Sequence, residues 1–312
     1  MKTFKLPGTK LTVPAIVAGM MRITDMSDQD IRKLVSAAIA DGIYFFDHAD
    51  IYGGAPHVCE DRFGKALKLA PSQRESLILQ TKCGIVMRGQ NTSFDFSHKH
   101  IIEAVDGSLK ALRTDYIDIL LLHRPDALVE PDEVAKAFDE LHDAGKVHWF
   151  GVSNHTPAQI RLLKQSVRQP LVANQVQMSL THCPAIAAGI AANMSWTDQA
   201  IDRDGGMLDY CRLKGITLQA WSPFQNPDWT GTFIGNPEQP ELNALLDALA
   251  AEYKATPTAI ATAWLIRHPA QMQVITGTTD PVHMRQVAQG SDIKLTRDQW
   301  YDLFEAAGYT MP

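Results

Sequence analysis

Four residues in the first half of the chain carry side chains suited to placing a proton on an oxygen: Asp47, Tyr52, Lys82 and His123. Asp47 ends an apolar run at 44–47, and Tyr52 follows in the same loop (FFDHADIYGG). Lys82 follows the run 77–81 (LILQTKCG), and His123 ends the run 117–123 (IDILLLHRPD). A lysine at the end of an apolar run is costly to bury without a counter-ion, and Asp47 is the nearest candidate. A charged Lys82 beside Tyr52 favours the phenolate, so the phenol is expected to fall below its ordinary value of about 10. Tyr52 then becomes a general acid usable near neutral pH. His123 offers an N–H to hold a substrate oxygen beside the Tyr52 hydroxyl. Such a site protonates an oxygen while a nucleophile attacks the carbon. Hydride delivery to a carbonyl matches, and it calls for a nicotinamide. Singly, each residue has a structural reading: Asp47 as a turn cap, Tyr52 as a turn aromatic beside Gly53-Gly54, Lys82 solvated beyond its strand, His123 as a hydrogen-bonded core histidine. Their joint pattern points to chemistry.

For these residues to meet, the runs that carry them must be neighbouring strands. Short apolar runs recur at 15–20, 44–47, 77–81, 117–123, 147–152, 172–177, 216–221 and 273–276, each bounded by polar residues, Gly or Pro. These are the marks of strands buried on both faces. Amphipathic stretches separate them at 27–41, 58–69, 97–112, 131–144, 157–166, 207–214, 241–252, 258–266 and 281–289. In the first, Ser27 is placed as N-cap, Ile31, Leu34, Val35, Ala38 and Ile39 follow helical spacing, and Gly42 lies just past the end. The alternation predicts an α/β fold: a single-domain (β/α)8 TIM barrel over 1–312, with an extra C-terminal helix at 296–308 packing Trp300, Leu303 and Phe304 outside the barrel. The rival is an open doubly wound sheet. It carries a G-x-G-x-x-G turn when it binds a dinucleotide, and none occurs here. In a barrel the C-terminal strand ends hold the site. Consecutive strands stand about 4.8 Å apart, so Asp47, Lys82 and His123 converge. The stretch 181–205 offers no clear element and reads either as a lid or as an excursion outside the barrel.

Composition narrows the function classes. Of the 312 residues 45% are hydrophobic and 21% charged, as in globular proteins, and the net charge is -6. No broad basic surface is expected, which argues against nucleic acid and anionic membrane as partners. No run reaches the roughly 20 apolar residues of a membrane span, and the N-terminus lacks a secretory pattern, so a cytoplasmic location is expected. Cys59, Cys83, Cys183 and Cys211 are scattered, without a C-x-x-C pair. Reduced thiols and no metal site are the expectation.

The segments GMMRI, FFDHADIYGG, LQTKCG, LLHRPD, GKVHWFGVSNH, ANQVQMSL, AWSPF and VITGTT occur in the order of, and resemble, the aldo-keto reductase family over nearly the whole chain. The resemblance implies a catalytic tetrad of Asp47, Tyr52, Lys82 and His123 with Tyr52 as proton donor. It implies NADPH as cofactor, with NADH as the alternative, and small-molecule aldehydes or ketones as substrates. Cofactor contacts would come from Met20, Met21, Asp47, Ser153, Asn154 and Gln175, with the last three near the nicotinamide carboxamide. Trp221 would stack on the nicotinamide, Ser222, Pro223 and Phe224 would approach the pyrophosphate, and Thr276, Gly277, Thr278, Thr279 and His283 would surround the adenosine phosphate. Many relatives carry Lys near Gly277 and Arg in place of His283 to grip the 2′-phosphate; Arg22 and Arg285 are the substitutes available here. The substrate pocket is expected to be apolar with one cation: Met21, Ile51, Met87, Arg124, Phe224 and Trp229. Two other classes compete: a dinucleotide-binding regulatory subunit with little turnover, and a lyase using Lys82 as a Schiff-base amine.

Overall fold

The computed structural model describes residues 1–89 and 91–312. The chain begins with an antiparallel hairpin, β1 (Thr3–Lys5) and β2 (Thr12–Pro14). Then come β3 (Ile16–Gly19), α1 (Asp28–Ala40), β4 (Phe45–Asp47), α2 (Val58–Leu67), α3 (Pro71–Glu75) and β5 (Ile78–Cys83). A second hairpin, β6 (Ile85–Arg88) and β7 (Asn91–Phe94), precedes α4 (His98–Leu112) and β8 (Ile117–Leu122). Alternation resumes with α5 (Pro131–Asp143), β9 (Val147–Ser153), α6 (Pro157–Leu163) and β10 (Leu171–Gln177). Next are α7 (Pro184–Ile190), α8 (Met207–Lys214), β11 (Thr217–Trp221), α9 (Pro240–Tyr253), α10 (Pro257–Arg267) and β12 (Gln273–Thr276). Finally α11 (Pro281–Gly290) and α12 (Arg297–Ala306) complete the chain.

Eight strands, β3-β4-β5-β8-β9-β10-β11-β12, close into a parallel barrel in chain order, with β12 pairing back to β3. This is the expected (β/α)8 TIM barrel, and every expected strand run contributes one of its staves. Period-two alternation sorts the side chains. Val17, Phe45, Ile119, Leu121 and Ile275 pack inside the barrel with Leu6 and Val13 of the first hairpin. Their neighbours Ala18, Phe46, Leu120, Leu122 and Val274 face the helices. The first hairpin thus fills the N-terminal end of the barrel, leaving the other mouth open. On the outer layer Phe138 of α5 stacks on Phe150 of β9 with ring centroids 4.0 Å apart.

Local signals set the boundaries. Ser27 accepts a hydrogen bond from the Asp30 N–H and starts α1. Helix α12 lies on α9 and α10, where Trp300 stacks on Trp264 at 4.8 Å and each indole N–H donates to the other's carbonyl at 3.0 Å. The stretch 181–205 contains α7 and a 3-10 turn at Asp198–Ala200. It is tied to the C-terminal tail: Tyr309 Oη accepts from the Cys183 N–H at 2.8 Å, and Gln199 is bonded both ways to Thr310. It packs against the tail outside the barrel, and none of its residues lines the cavity at the barrel mouth. No helix among the described residues is long and apolar enough to cross a membrane.

Candidate active site

A cavity of about 860 Å3 opens at the C-terminal mouth of the barrel. Strand alternation delivers the residues at its floor. On β5, Gln80 and Lys82 share the inward face with Asp47 of β4, while Thr81 and Cys83 face outward. Beyond β4 the chain keeps pairing with β5, since the Asp50 N–H donates to the Lys82 carbonyl at 3.0 Å. It then turns under α2. Gly53 has φ 100°, and a Cβ there would sit 2.7 Å from Val58, so the turn that presents Tyr52 requires glycine.

The Lys82 ammonium is completely buried and its three N–H groups are all used. They reach Asp47 Oδ2 at 2.7 Å, the His48 carbonyl at 2.7 Å and Tyr52 Oη at 3.0 Å. The other Asp47 oxygen accepts from Gln80 Nε2 at 2.6 Å and Gln175 Nε2 at 3.0 Å. A row of buried glutamines continues from there. Gln80 and Gln175 also donate to Gln219 Oε1; Gln219 donates to Gln80 Oε1 and Gln273 Oε1; Gln273 donates to the Pro14 carbonyl. Sequence reading missed Gln80 and Gln219, although the two-residue spacing from Gln80 to Lys82 carried the signal.

Electrostatics correct one expectation. Burial raises the Tyr52 pKa above the ordinary phenol value; the Lys82 charge and hydrogen bond oppose this without overcoming it. Tyr52 is half-buried and lines the cavity. Burial works against the Lys82 ammonium, but Asp47 first and then Tyr52 hold its pKa above the usual lysine value. His123 is pushed well below the ordinary imidazole value by burial, then by Lys82 and Arg124, so it is neutral. Its ring meets Tyr52 edge-on at 5.9 Å, and Nδ1 has no partner among the described residues.

Most of the remaining expected residues also line the cavity. Asn154, at a left-handed φ of 61°, donates to Ser153 Oγ at 2.8 Å and accepts from Trp221 Nε1 at 3.1 Å. Ser153 Oγ donates to the Gln175 carbonyl at 2.9 Å. Met21, Ser222, Pro223, Phe224, Thr276, Gly277, Thr278 and His283 border the same space. Two do not fit the expectation. Met20 is fully buried in the layer between barrel and helices, because alternation turns it away from the mouth. Thr279 lies beyond the lining. Of the two candidate arginines, Arg22 lines the cavity and donates to the Gly277 carbonyl at 3.0 Å, whereas Arg285 faces Asp41 at 3.4 Å. Gly19, also unforeseen, borders the floor, and a Cβ there would approach Ile275 to 3.2 Å.

Behind the same two strands lies a second buried polar group. Glu60 of α2 accepts from Thr81 Oγ1 at 2.5 Å and His57 Nδ1 at 2.6 Å. Asp50 is pushed up to about 7 by burial and then by Glu60, and its Oδ1 has no described partner. His48 is lowered to about 3 by burial and then by Lys82, and it packs edge-on to Phe63. Cys83 is buried and its thiol is pushed well up by burial, an inert setting. All four cysteines are buried and unpaired.

Residues 15–307 match the model of the Aldo/keto reductase family. The chain is 35% identical over 308 residues to the uncharacterized oxidoreductase YcsN of Bacillus subtilis (strain 168), covering 95% of each. It is 35% identical over 308 residues to a 6-dehydroglucose reductase of Agrobacterium fabrum (strain C58), covering 96% of this chain and 95% of the relative. The crystal structure of the thermostable aldo-keto reductase Tm1743 with the inhibitor epalrestat superimposes with a TM-score of 0.76 at 25% identity, covering 98% of this chain and 100% of that one. With the match spanning nearly every stave of the barrel and the cavity at its mouth, the chain belongs to the aldo/keto reductase family.

Proposed function

We propose that the protein reduces aldehyde or ketone carbonyls to alcohols with a nicotinamide dinucleotide, NADPH ahead of NADH. The observation that supports this most is the buried ammonium of Lys82, 3.0 Å from the Tyr52 hydroxyl and 2.7 Å from Asp47, both of which line a cavity of about 860 Å3. The residues present suit a dinucleotide. Ser153 and Asn154 form a polar corner for an amide, and Trp221 offers an aromatic face beside it. Gly277 lets the Arg22 side chain pack against it, since a Cβ there would lie 2.5 Å from Arg22 Nη1. Arg22 and His283 supply cationic or donor groups at that end, which suits phosphates.

When bound, a reduced nicotinamide supplies the hydride. The protein's own part is the proton. His123, neutral, holds the carbonyl oxygen near Tyr52. As negative charge develops on that oxygen, Tyr52 passes its hydroxyl proton to it, and the O–H bond forms as the carbonyl π bond is lost. The resulting phenolate is stabilised by Lys82, whose charge Asp47 maintains. Since Lys82 stays protonated, it is unsuited to Schiff-base attack.

The test is turnover of 4-nitrobenzaldehyde with NADPH. Tyr52→Phe should lose at least about 100-fold in kcat, the scale of general acid catalysis, while NADPH still quenches Trp221 fluorescence. Equal turnover in Tyr52→Phe overturns the proton assignment. Tight dinucleotide binding by the native protein, with no turnover across a panel of aldehydes and ketones, overturns the enzyme reading in favour of a regulatory binder.

A further inference from the structure

Arg124 is a cation that the proposed proton transfer leaves without a task. It follows His123 directly at the end of β8 and lines the cavity, half-buried. Its guanidinium carbon lies 5.7 Å from the Trp221 ring centroid. No carboxylate among the described residues lies within ion-pair distance of it, and it donates no hydrogen bond to a described residue. The nearest carboxylate in sequence, Asp126, is committed elsewhere: its two oxygens accept from the Phe96 N–H at 3.0 Å and the Leu128 N–H at 2.8 Å. A half-buried guanidinium with no protein anion keeps its donors for something that enters the cavity.

Its position separates it from the phosphate-binding end. Arg22 follows β3, which pairs with β12; Arg124 follows β8, three staves further round the barrel. The two guanidiniums therefore stand on nearly opposite sides of the mouth. The cavity that Arg124 enters also carries the apolar side chains Ile51, Met87, Phe224 and Trp229. One cation beside Tyr52 and His123, set among apolar walls, fits a compact organic body bearing a carbonyl at one end and an anion at the other.

Resting on the carbonyl-reductase reading above, we propose that Arg124 determines substrate specificity by pairing with a carboxylate, so that the preferred substrates are aldehydes or ketones carrying a carboxylate a short distance from the carbonyl. Guanidinium and carboxylate match as a planar, two-bond pair, and the apolar walls strengthen that pair by excluding water.

The experiment compares 3- and 4-carboxybenzaldehyde with their methyl esters, using NADPH and both the native protein and Arg124→Gln. The native protein should favour at least one acid over its ester by ten-fold or more in kcat/KM, mainly through KM, and 0.5 M NaCl should shrink that ratio. In Arg124→Gln the ratio should fall to near one, and Arg124→Lys should recover part of it. If Arg124 merely buttresses Trp221, acid and ester suffer equally and the ratio stays, which overturns the proposal. Acid and ester used equally well by the native protein also overturns it while leaving carbonyl reduction standing. Failure to reduce either compound, or any neutral aldehyde, sinks the underlying reading instead.

Discussion

Strands β4 and β5 carry buried ionisable groups on both faces, and the two sets are built differently. On the inner face the Asp47, Lys82 and Tyr52 polar atoms form an unbroken hydrogen-bonded set that opens onto a cavity. On the outer face Asp50 and His48 keep atoms without a partner among the described residues, and neither Glu60 nor Cys83 lines the cavity at the barrel mouth. Buried charge is therefore not in itself the mark of a site. The inner set combines a retained cation, a phenolic hydroxyl that keeps its hydrogen and access for a second molecule. The outer set knits α2 to the barrel through Glu60, bonded to both Thr81 and His57.

Four measurements sharpen or break this contrast. Lys82→Met should produce the largest effect, a fall of about 1,000-fold or more in carbonyl turnover, because Tyr52 loses the charge that opposes its burial. Turnover within ten-fold of native would erase the distinction between the two faces. Glu60→Ala should act in the opposite manner: stability drops by about 2–3 kcal/mol in urea unfolding, as buried Thr81 and half-buried His57 lose their acceptor, while kcat stays within a few-fold.

Asp50 gives a smaller, pH-dependent effect. Its folded pKa of about 7 exceeds the ordinary 3.8, so between those values the folded state holds a proton that the unfolded state has released. Stability thus falls as pH rises from 4 through 7. Asp50→Asn should raise the melting temperature by a few degrees at pH 8 and leave it unchanged at pH 4. A variant that melts lower at pH 8 contradicts this account of the outer set. The smallest effect concerns the inner set itself. His123 stays neutral and Tyr52 stays protonated, so kcat/KM for reduction should vary less than about three-fold between pH 6 and 9. An acid limb with a midpoint near 6.5 would show that His123 titrates there after all.

Much of the architecture was legible because period-two and helical patterns are strong where one layer packs on another. The eight barrel runs were visible since each carries several apolar residues between polar, Gly or Pro boundaries, and Ser27 and Gly42 bracket α1. Hairpin β1–β2 was not legible: its strands have three residues each. Nor was β6–β7, whose residues are mostly exposed. Helix α7 (PAIAAGI) offers no polar face to create a period. At the site, strand ends placed Asp47, Lys82 and His123 on one rim, which topology alone can do. The sign of the Tyr52 shift depended on how far burial outweighs the Lys82 charge, and that belongs to packing. Met20 illustrates the same limit, since one residue of phase decides which side of a strand end a side chain takes.

The glutamine row through the barrel has a mechanical meaning. Amides neither gain nor lose protons while the protein is folded, so Asp47 rests on supports whose sense cannot be switched by acid or base. Each amide is oriented by its neighbour, and turning one over would force the next to turn, from the Pro14 carbonyl through Gln273, Gln219 and Gln80. The plug at the closed end of the cylinder and the carboxylate at its open end are thereby held in a common alignment, and disturbing the first would be felt at the second.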